Sequence, residues 1–273
     1  MKNMRISNIF QRRNRILLSE LIVTDFKLRY QGSVLGYVWS VLKPLFLFAI
    51  MYFVFGFIFN FRGDVEHFAV YLLVGIVLWS FFTEATSQGL QAIVTRGDLI
   101  RKINFPKYII IISGTTSALI NLFFNLLVVF FFVIINGVEL TWLSLLLPVI
   151  ILELYVFALA LAFFLSAFNV KFRDIGYLWE IFLQAAFYAT PILYTISLVA
   201  DKSEVIAKIM LLSPIAQTIQ DARYVLVSDA SVTTWTLLAG SWLAAIPLAI
   251  VAISIVLAAI YFRKSSKYFA EYV

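Results

Sequence analysis

The chain has 273 residues, 63% of them hydrophobic and 13% charged, with a mean hydropathy of +0.97. A soluble domain is about half apolar and a quarter charged, so these values exclude an ordinary soluble fold and indicate a multi-pass membrane protein. The absence of cysteine and the single histidine, His67, exclude disulfide frameworks, thiolate sites and multi-histidine metal centres.

The N-terminal stretch MKNMRISNIFQRRNRILLSE lacks the apolar core and small-residue cleavage site of a signal peptide and reads as a retained cytoplasmic arm. In ILLSELIVTDFKLRY, residues 16–30, the side chains Leu18, Leu21, Ile22 and Phe26 share one helical face, while Glu20, Thr24 and Lys27 lie elsewhere. Flanked by Arg12, Arg13 and Arg15, such a helix suits an anionic leaflet surface, which is favoured over packing on a partner subunit. Residues 1–43 are therefore expected to form the arm and an interface helix of a single membrane domain covering 1–273.

Six segments have the roughly 20 apolar residues that a spanning helix needs, at about 44–61, 68–94, 109–135, 142–168, 178–199 and 235–262. The expected fold is thus all-α with six spans. With the N-terminus inside, 17 of the 21 Lys and Arg residues fall on inner segments, and only Arg62, Lys202, Lys208 and Arg223 on outer ones. The positive-inside rule then puts both termini in the cytoplasm. The net charge of +6 follows this topology, so nucleic acid is not an expected partner. Between the last two spans, Val205, Ile209 and Leu212, then Ile215, Ile219, Ala222 and Leu226, recur at helical spacing, with Ser213-Pro214 as a helix start. Two short external helices, re-entrant or lying on the outer leaflet, are expected there.

No phosphate-binding Gly-rich loop, HExxH or GxSxG occurs, and Asp64 with Glu66 reads as a solvated turn rather than a metal site. Several polar residues lie within spans, where burial is costly and often functional. Glu153 falls about 16 Å into the fourth span at the helical rise. Glu84 and Gln88 are one turn apart on the second, and Asn121 and Asn125 share a face of the third. They could line a polar path or join helices by hydrogen bonds, the latter being favoured for the asparagines. Aromatic side chains give sugars a flat apolar face, and Tyr52, Phe55 and Phe59 on the first span and Trp179, Tyr188 and Tyr194 on the fifth are the candidates to line a substrate path.

RGDLIRKINFPK, starting at Arg96, lies in a cytoplasmic loop. Asp98 precedes Leu99, Ile100 and Ile103, so a short two-faced helix is expected, apolar on one side, with Arg101 and Lys102 on another and Pro106 marking its end. It could dock another protein, anchor topology, or do both.

Three stretches, TDFKLRYQGSVLGYVWSVLKPLF, LIRKINFPK and FNVKFRDIGYLWEIFLQAAFYATPILY, resemble in order and spacing the permease subunit of type-2 ABC exporters. They are most similar to the branch exporting O-antigen, capsule and teichoic acid polysaccharides. The resemblance implies a homodimer with two copies of a separate ATPase subunit, in which ATP and Mg are bound. No cofactor is expected in this chain. It implies that Arg96, Asp98, Leu99, Ile100, Arg101, Lys102, Phe105 and Pro106 form the family's coupling helix. Lys171, Arg173 and Asp174 would be a second ATPase contact, and residues 16–42 and 200–234 the interface and gate helices. The family often has an acidic residue soon after the coupling-segment proline, where this chain has Lys107 and Tyr108. The cargo would be a lipid-linked polysaccharide. Rival readings are a type-2 permease for drugs or small lipids, an ion-driven carrier or flippase, and a membrane-embedded transferase.

Overall fold

The computed structural model describes residues 12–30, 32–60 and 65–272. The expectations for Lys2, Arg5, Arg62 and Asp64, and for the side chains of Phe26 and Arg29, lie outside the described residues. Among the described residues all regular structure is helical.

Helix α1, Arg12–Tyr30, is followed by a first long apolar helix that starts as a 3-10 turn, Gly36–Val38. It continues as α2, Trp39–Met51, and ends in a π-helical stretch, Tyr52–Ile58. It begins eight residues before the expected 44 because Pro44 sits within the second turn of α2 instead of starting the helix. Helix α3, Phe68–Thr95, is followed by the short α4, Gly97–Lys102, and by α5, Tyr108–Ile135. A 3-10 turn at Trp142–Leu146 leads into α6, Leu147–Lys171, and then α7, Ile175–Ala189. The short helices α8, Ile196–Ala200, α9, Glu204–Leu211, α10, Pro214–Leu226, and α11, Thr234–Leu237, come next. A 3-10 turn, Trp242–Ala245, opens α12, Ile246–Ser265, and α13 is Phe269–Tyr272.

Among the described residues, five helices are long and apolar enough to cross a membrane: Gly36–Ile58, Phe68–Thr95, Tyr108–Ile135, Trp142–Lys171 and Trp242–Ser265. The expected continuous span 178–199 does not form. Helix α7 has 15 residues, about 22 Å at the helical rise against a hydrocarbon core of roughly 30 Å. It stops because Pro191 disfavours helical geometry at Thr190, whose ψ is 138°. The last span starts at Trp242 rather than 235 because Gly240 turns the chain at φ +76° and Ser241 Oγ then caps the new helix by accepting from Leu243 N–H.

Helix α3 is the centre of the bundle. Of its most apolar stretch 78% is buried, against 17–33% in the other four long helices. It packs on α5 along one side and on α6 along the other. The α3–α6 crossing is close because Gly89 meets Ala162, where a Cβ on residue 89 would collide with that of Ala162. Small residues of this kind let helix backbones approach in lipid, where packing rather than water exclusion drives association. A second apolar cluster closes the α4 end of the bundle, with Ile93, Ile100, Phe105, Ile110, Val170, Phe262 and Phe269 buried together.

Helix α1 packs mainly against α5, with Leu17 and Leu21 against the apolar cluster at the α4 end, while Arg12, Arg13 and Arg15 are exposed. Leu18 and Ile22 are partly buried. The stretch between α7 and α12 holds α9 and α10 where the two short helices are expected. Pro214 opens α10, but the Ser213 side chain makes no capping bond. Helix α10 is mostly buried, against α3, α6 and α12.

Candidate functional site

Between α2, α3, α5 and α7 runs a groove of about 1350 Å³, longer than a small-molecule pocket needs. From Gly176 to Tyr188, both in its lining, α7 alone covers about 18 Å at the helical rise. Its walls combine Trp39, Trp179, Phe187 and Tyr188 with the polar Lys43, Glu84, Gln88, Gln91, Glu180 and Gln184. The mixture offers flat apolar faces beside amide and carboxylate groups, which is the chemistry that carbohydrate rings and hydroxyls use.

The polar wall is held by hydrogen bonds between helices. Glu84 Oε1 accepts from Asn121 Nδ2 at 2.6 Å and from Gln88 Nε2 at 2.9 Å. Asn125 Nδ2 donates to the Ser40 carbonyl at 3.1 Å and to that of Asn121 at 2.8 Å. The two asparagines therefore both join helices and line the groove. The Trp179 indole donates to Thr86 Oγ1 at 3.2 Å and its ring stacks on Phe182 at 5.0 Å, which fixes its orientation.

Of the six aromatic residues singled out from the sequence, Trp179 and Tyr188 line this groove. Tyr52, Phe55, Phe59 and Tyr194 lie outside its lining. Tyr52 stacks on Phe68 with centroids 6.0 Å apart, and Phe55 on Phe59 at 5.5 Å. The Tyr194 hydroxyl donates to the Tyr188 carbonyl at 2.9 Å, pinning the chain where α7 ends. On the first long helix the lining runs as far as Met51, and the π-helical stretch Tyr52–Ile58 begins where it stops.

At the α4 end the short helix has the two faces that its sequence suggests. Ile100 and Phe105 are buried and Leu99 is partly so, whereas Asp98, Arg101 and Lys102 are exposed. Asp98 accepts from Arg101 at 2.7 Å, and this hydrogen bond and the nearby positive charge hold its carboxyl below the ordinary range. The helix ends at Lys102, earlier than Pro106, because Ile103 is already extended with φ −129° and ψ 132°. Pro106 is half-buried and follows an extended run from Ile103. Lys171, Arg173 and Asp174 are exposed at the same end, Lys171 over the Phe172 ring at 5.1 Å.

Arg96 does not share the exposed face. It pairs with Asp25 of α1 and donates to Ser113 Oγ at 3.2 Å, while Ser113 donates to Asp25 Oδ2 at 3.1 Å. This triad braces α4 against α1 and α5, and burial lowers the Arg96 pKa. Lys107 likewise turns inward, donating to the Ser266 carbonyl at 3.0 Å, with its pKa lowered by burial. Sequence spacing gives no hint of either pairing, which joins residues 71 and 159 positions apart.

Arg223 is the largest surprise. Counted in the sequence as an outer-loop charge, it is wholly buried. Its guanidinium donates to the carbonyls of Tyr71 at 3.0 Å, Pro191 at 2.5 Å and Ile192 at 2.7 Å, and to Gln220 Oε1 at 2.8 Å, with its charge 3.5 Å from the Tyr71 ring centroid. The carbonyls of Pro191 and Ile192, which lie beyond the end of α7, are thus satisfied by a planar, multi-donor cation. Gly75 makes room for it, since a Cβ there would lie 2.5 Å from Nη2.

A helical bundle with five candidate spans among the described residues, a long mixed groove and a short basic helix on a buried apolar base defines an integral membrane protein. The sequence pattern of the family described as ABC-2 type transporter matches residues 17–227, and the chain belongs to that family. It is 33% identical over 189 residues to the O-antigen export system permease protein RfbA of Myxococcus xanthus, covering 69% of this chain and 72% of that protein. It is also 28% identical over 188 residues to the O-antigen export system permease protein RfbA of Klebsiella pneumoniae, covering 68% and 71%.

Proposed function

We propose that this chain is the permease subunit of an ATP-driven exporter that moves a lipid-linked polysaccharide of the O-antigen, capsule or teichoic acid kind across the bacterial cytoplasmic membrane. The groove carries this reading: about 1350 Å³ of open space along α7, walled by tryptophan, tyrosine, amide and carboxylate groups, is suited to a sugar chain. Stacking on aromatic faces is modest per contact and tolerant of sugar identity, which suits movement of a polymer. The relatives named for O-antigen export support the same cargo.

Both termini and α4 face the cytoplasm in this account, and α7 with its broken end makes a sixth crossing. Of the 15 residues of α7 only Leu183 is buried within the single chain, and Tyr177, Leu178, Ile181 and Phe182 are exposed. A second copy of the chain covers that face and closes the groove, while lipid surrounds the outer helices. Two copies of a separate ATPase, holding ATP and Mg, grip the exposed side of α4 and the Lys171–Asp174 segment. Their closure draws the α4 helices together and opens the groove between protomers; this chain binds no cofactor.

Reconstitution in vesicles with the partner ATPase tests the proposal. Lipid-linked glycan should become accessible to an external glycosidase only with ATP, and Trp179→Ala with Tyr188→Ala should abolish this while the complex still assembles. Wild-type transport by that variant, or by the permease without the ATPase, would refute the reading.

A further inference from the structure

Helix α13 touches both of the segments that the proposed function assigns to the ATPase, α4 and Lys171–Asp174. It packs on α4 and on α6. Phe269, its first residue, is 1% exposed and meets Phe262 of α12 edge-on, with ring centroids 5.5 Å apart. Ile100 of α4, Phe105 shortly after it and Val170 near the end of α6 are buried in the same apolar cluster. Polar contacts hold the segment on both sides. Lys107 Nζ, on the stretch that leaves α4, donates to the Ser266 carbonyl at 3.0 Å, and Arg173 Nη2 donates to the Tyr272 carbonyl at 3.4 Å.

Helix α4 has six residues, too few for an isolated helix to persist in water, so its place is set by what it rests on. The Arg96 triad braces its start. Beyond that, among the described residues α4 packs more on α13 than on any other helix. Lys171 is the last residue of α6, and Arg173 and Asp174 make the turn before α7. A partner that grips two sites on one surface gains the second contact as an intramolecular step, and that gain depends on the spacing at which the two sites are held.

We propose that the C-terminal segment Ser266–Tyr272 is a strap, with Phe269 as its positioning residue, that holds α4 and Lys171–Asp174 at the spacing a single ATPase subunit needs to grip both. The inference rests on the reading that these two segments are the ATPase contacts. It does not depend on the cargo. Phe269 touches no partner itself and acts only through Ile100, Phe105 and Val170 around it.

The test uses the full chain in nanodiscs. The chain has no cysteine of its own, so Lys102→Cys with Lys171→Cys carries one pair of spin labels whose separation reports the spacing. Unlabelled chain in excess ensures that only labels within one copy are read, and affinity for the purified ATPase is measured on label-free protein. Phe269→Ala should broaden the distance distribution and weaken ATPase binding about tenfold or more. Phe269→Leu, which keeps an apolar side chain in the cluster, should restore both. If Phe269→Ala does not fold, a chain ending at residue 270 must show both effects, since it keeps Phe269 and loses Tyr272, whose carbonyl Arg173 holds. Suppose Arg101→Glu with Lys102→Glu loses the ATPase while the Phe269 variant binds as the wild type does or keeps a narrow distance distribution. The strap is then overturned and the contacts stand. ATPase binding that survives the charge reversal would overturn both.

Discussion

At the α4 end, Arg101 and Lys102 stand in solvent on a helix whose other side, through Ile100, is buried in the bundle. At the α10 end, Arg223 carries the same charge and is completely enclosed, its donors taken up by four oxygens. The difference teaches how to read cations in a membrane chain. A buried guanidinium whose every partner is internal is part of the scaffold, whereas an exposed one on a rigid apolar base is free to meet another molecule. Arg96 and Asp98 divide along the same line within a single short segment, one braced inward to Asp25 and Ser113, the other outward.

The comparison can be broken first at Arg223. Arg223→Met leaves the Pro191 and Ile192 carbonyls bare at about 1–3 kcal/mol each, so the unfolding midpoint in detergent should fall sharply. Gly75→Leu should imitate it by displacing the guanidinium, and a normal midpoint in both would disprove the latch. Next in size is Gly89→Val, which overpacks the α3–α6 crossing for an expected loss of about 1–3 kcal/mol. Asp25→Ala should cost less, since the ion pair with Arg96 retains some access to solvent. It should also loosen α4, which faster proteolysis after Arg101 or Lys102 would report.

Much of this architecture is legible from the chain, and the exceptions have physical causes. The α4 helix follows from Asp98 ahead of Leu99 and Ile100, and α9 and α10 follow from their apolar spacing, because local periodicity encodes local structure. Thr190-Pro191 carried the signal that interrupts the span expected at 178–199, but apolar content alone runs through it. Arg223 was illegible because three of its partners are backbone carbonyls, which every residue has, at positions 71, 191 and 192. The groove wall was half legible: Glu84, Gln88 and the two asparagines were marked by their polarity, but aromatic character alone does not tell how far along the first long helix the groove reaches, and Tyr52, Phe55 and Phe59 follow Met51, where its lining stops.

The smallest effect on stability belongs to the exposed pair Asp98–Arg101. Its carboxyl is held below the ordinary range. Any stability that it adds is therefore present above the ordinary carboxylate pKa and lost as pH falls through the lowered one. A pH titration of the unfolding midpoint should show wild type and Asp98→Asn almost superimposed, and salt should remove what difference there is.

The central claim, that the exposed side of α4 is the handle for a separate ATPase while its apolar side belongs to the bundle, is tested most directly by charge reversal. Arg101→Glu with Lys102→Glu should leave the purified permease folded, with its unfolding midpoint unchanged, yet abolish co-purification of the ATPase and ATP-dependent glycan export together. Full export and intact co-purification by that variant would contradict the account.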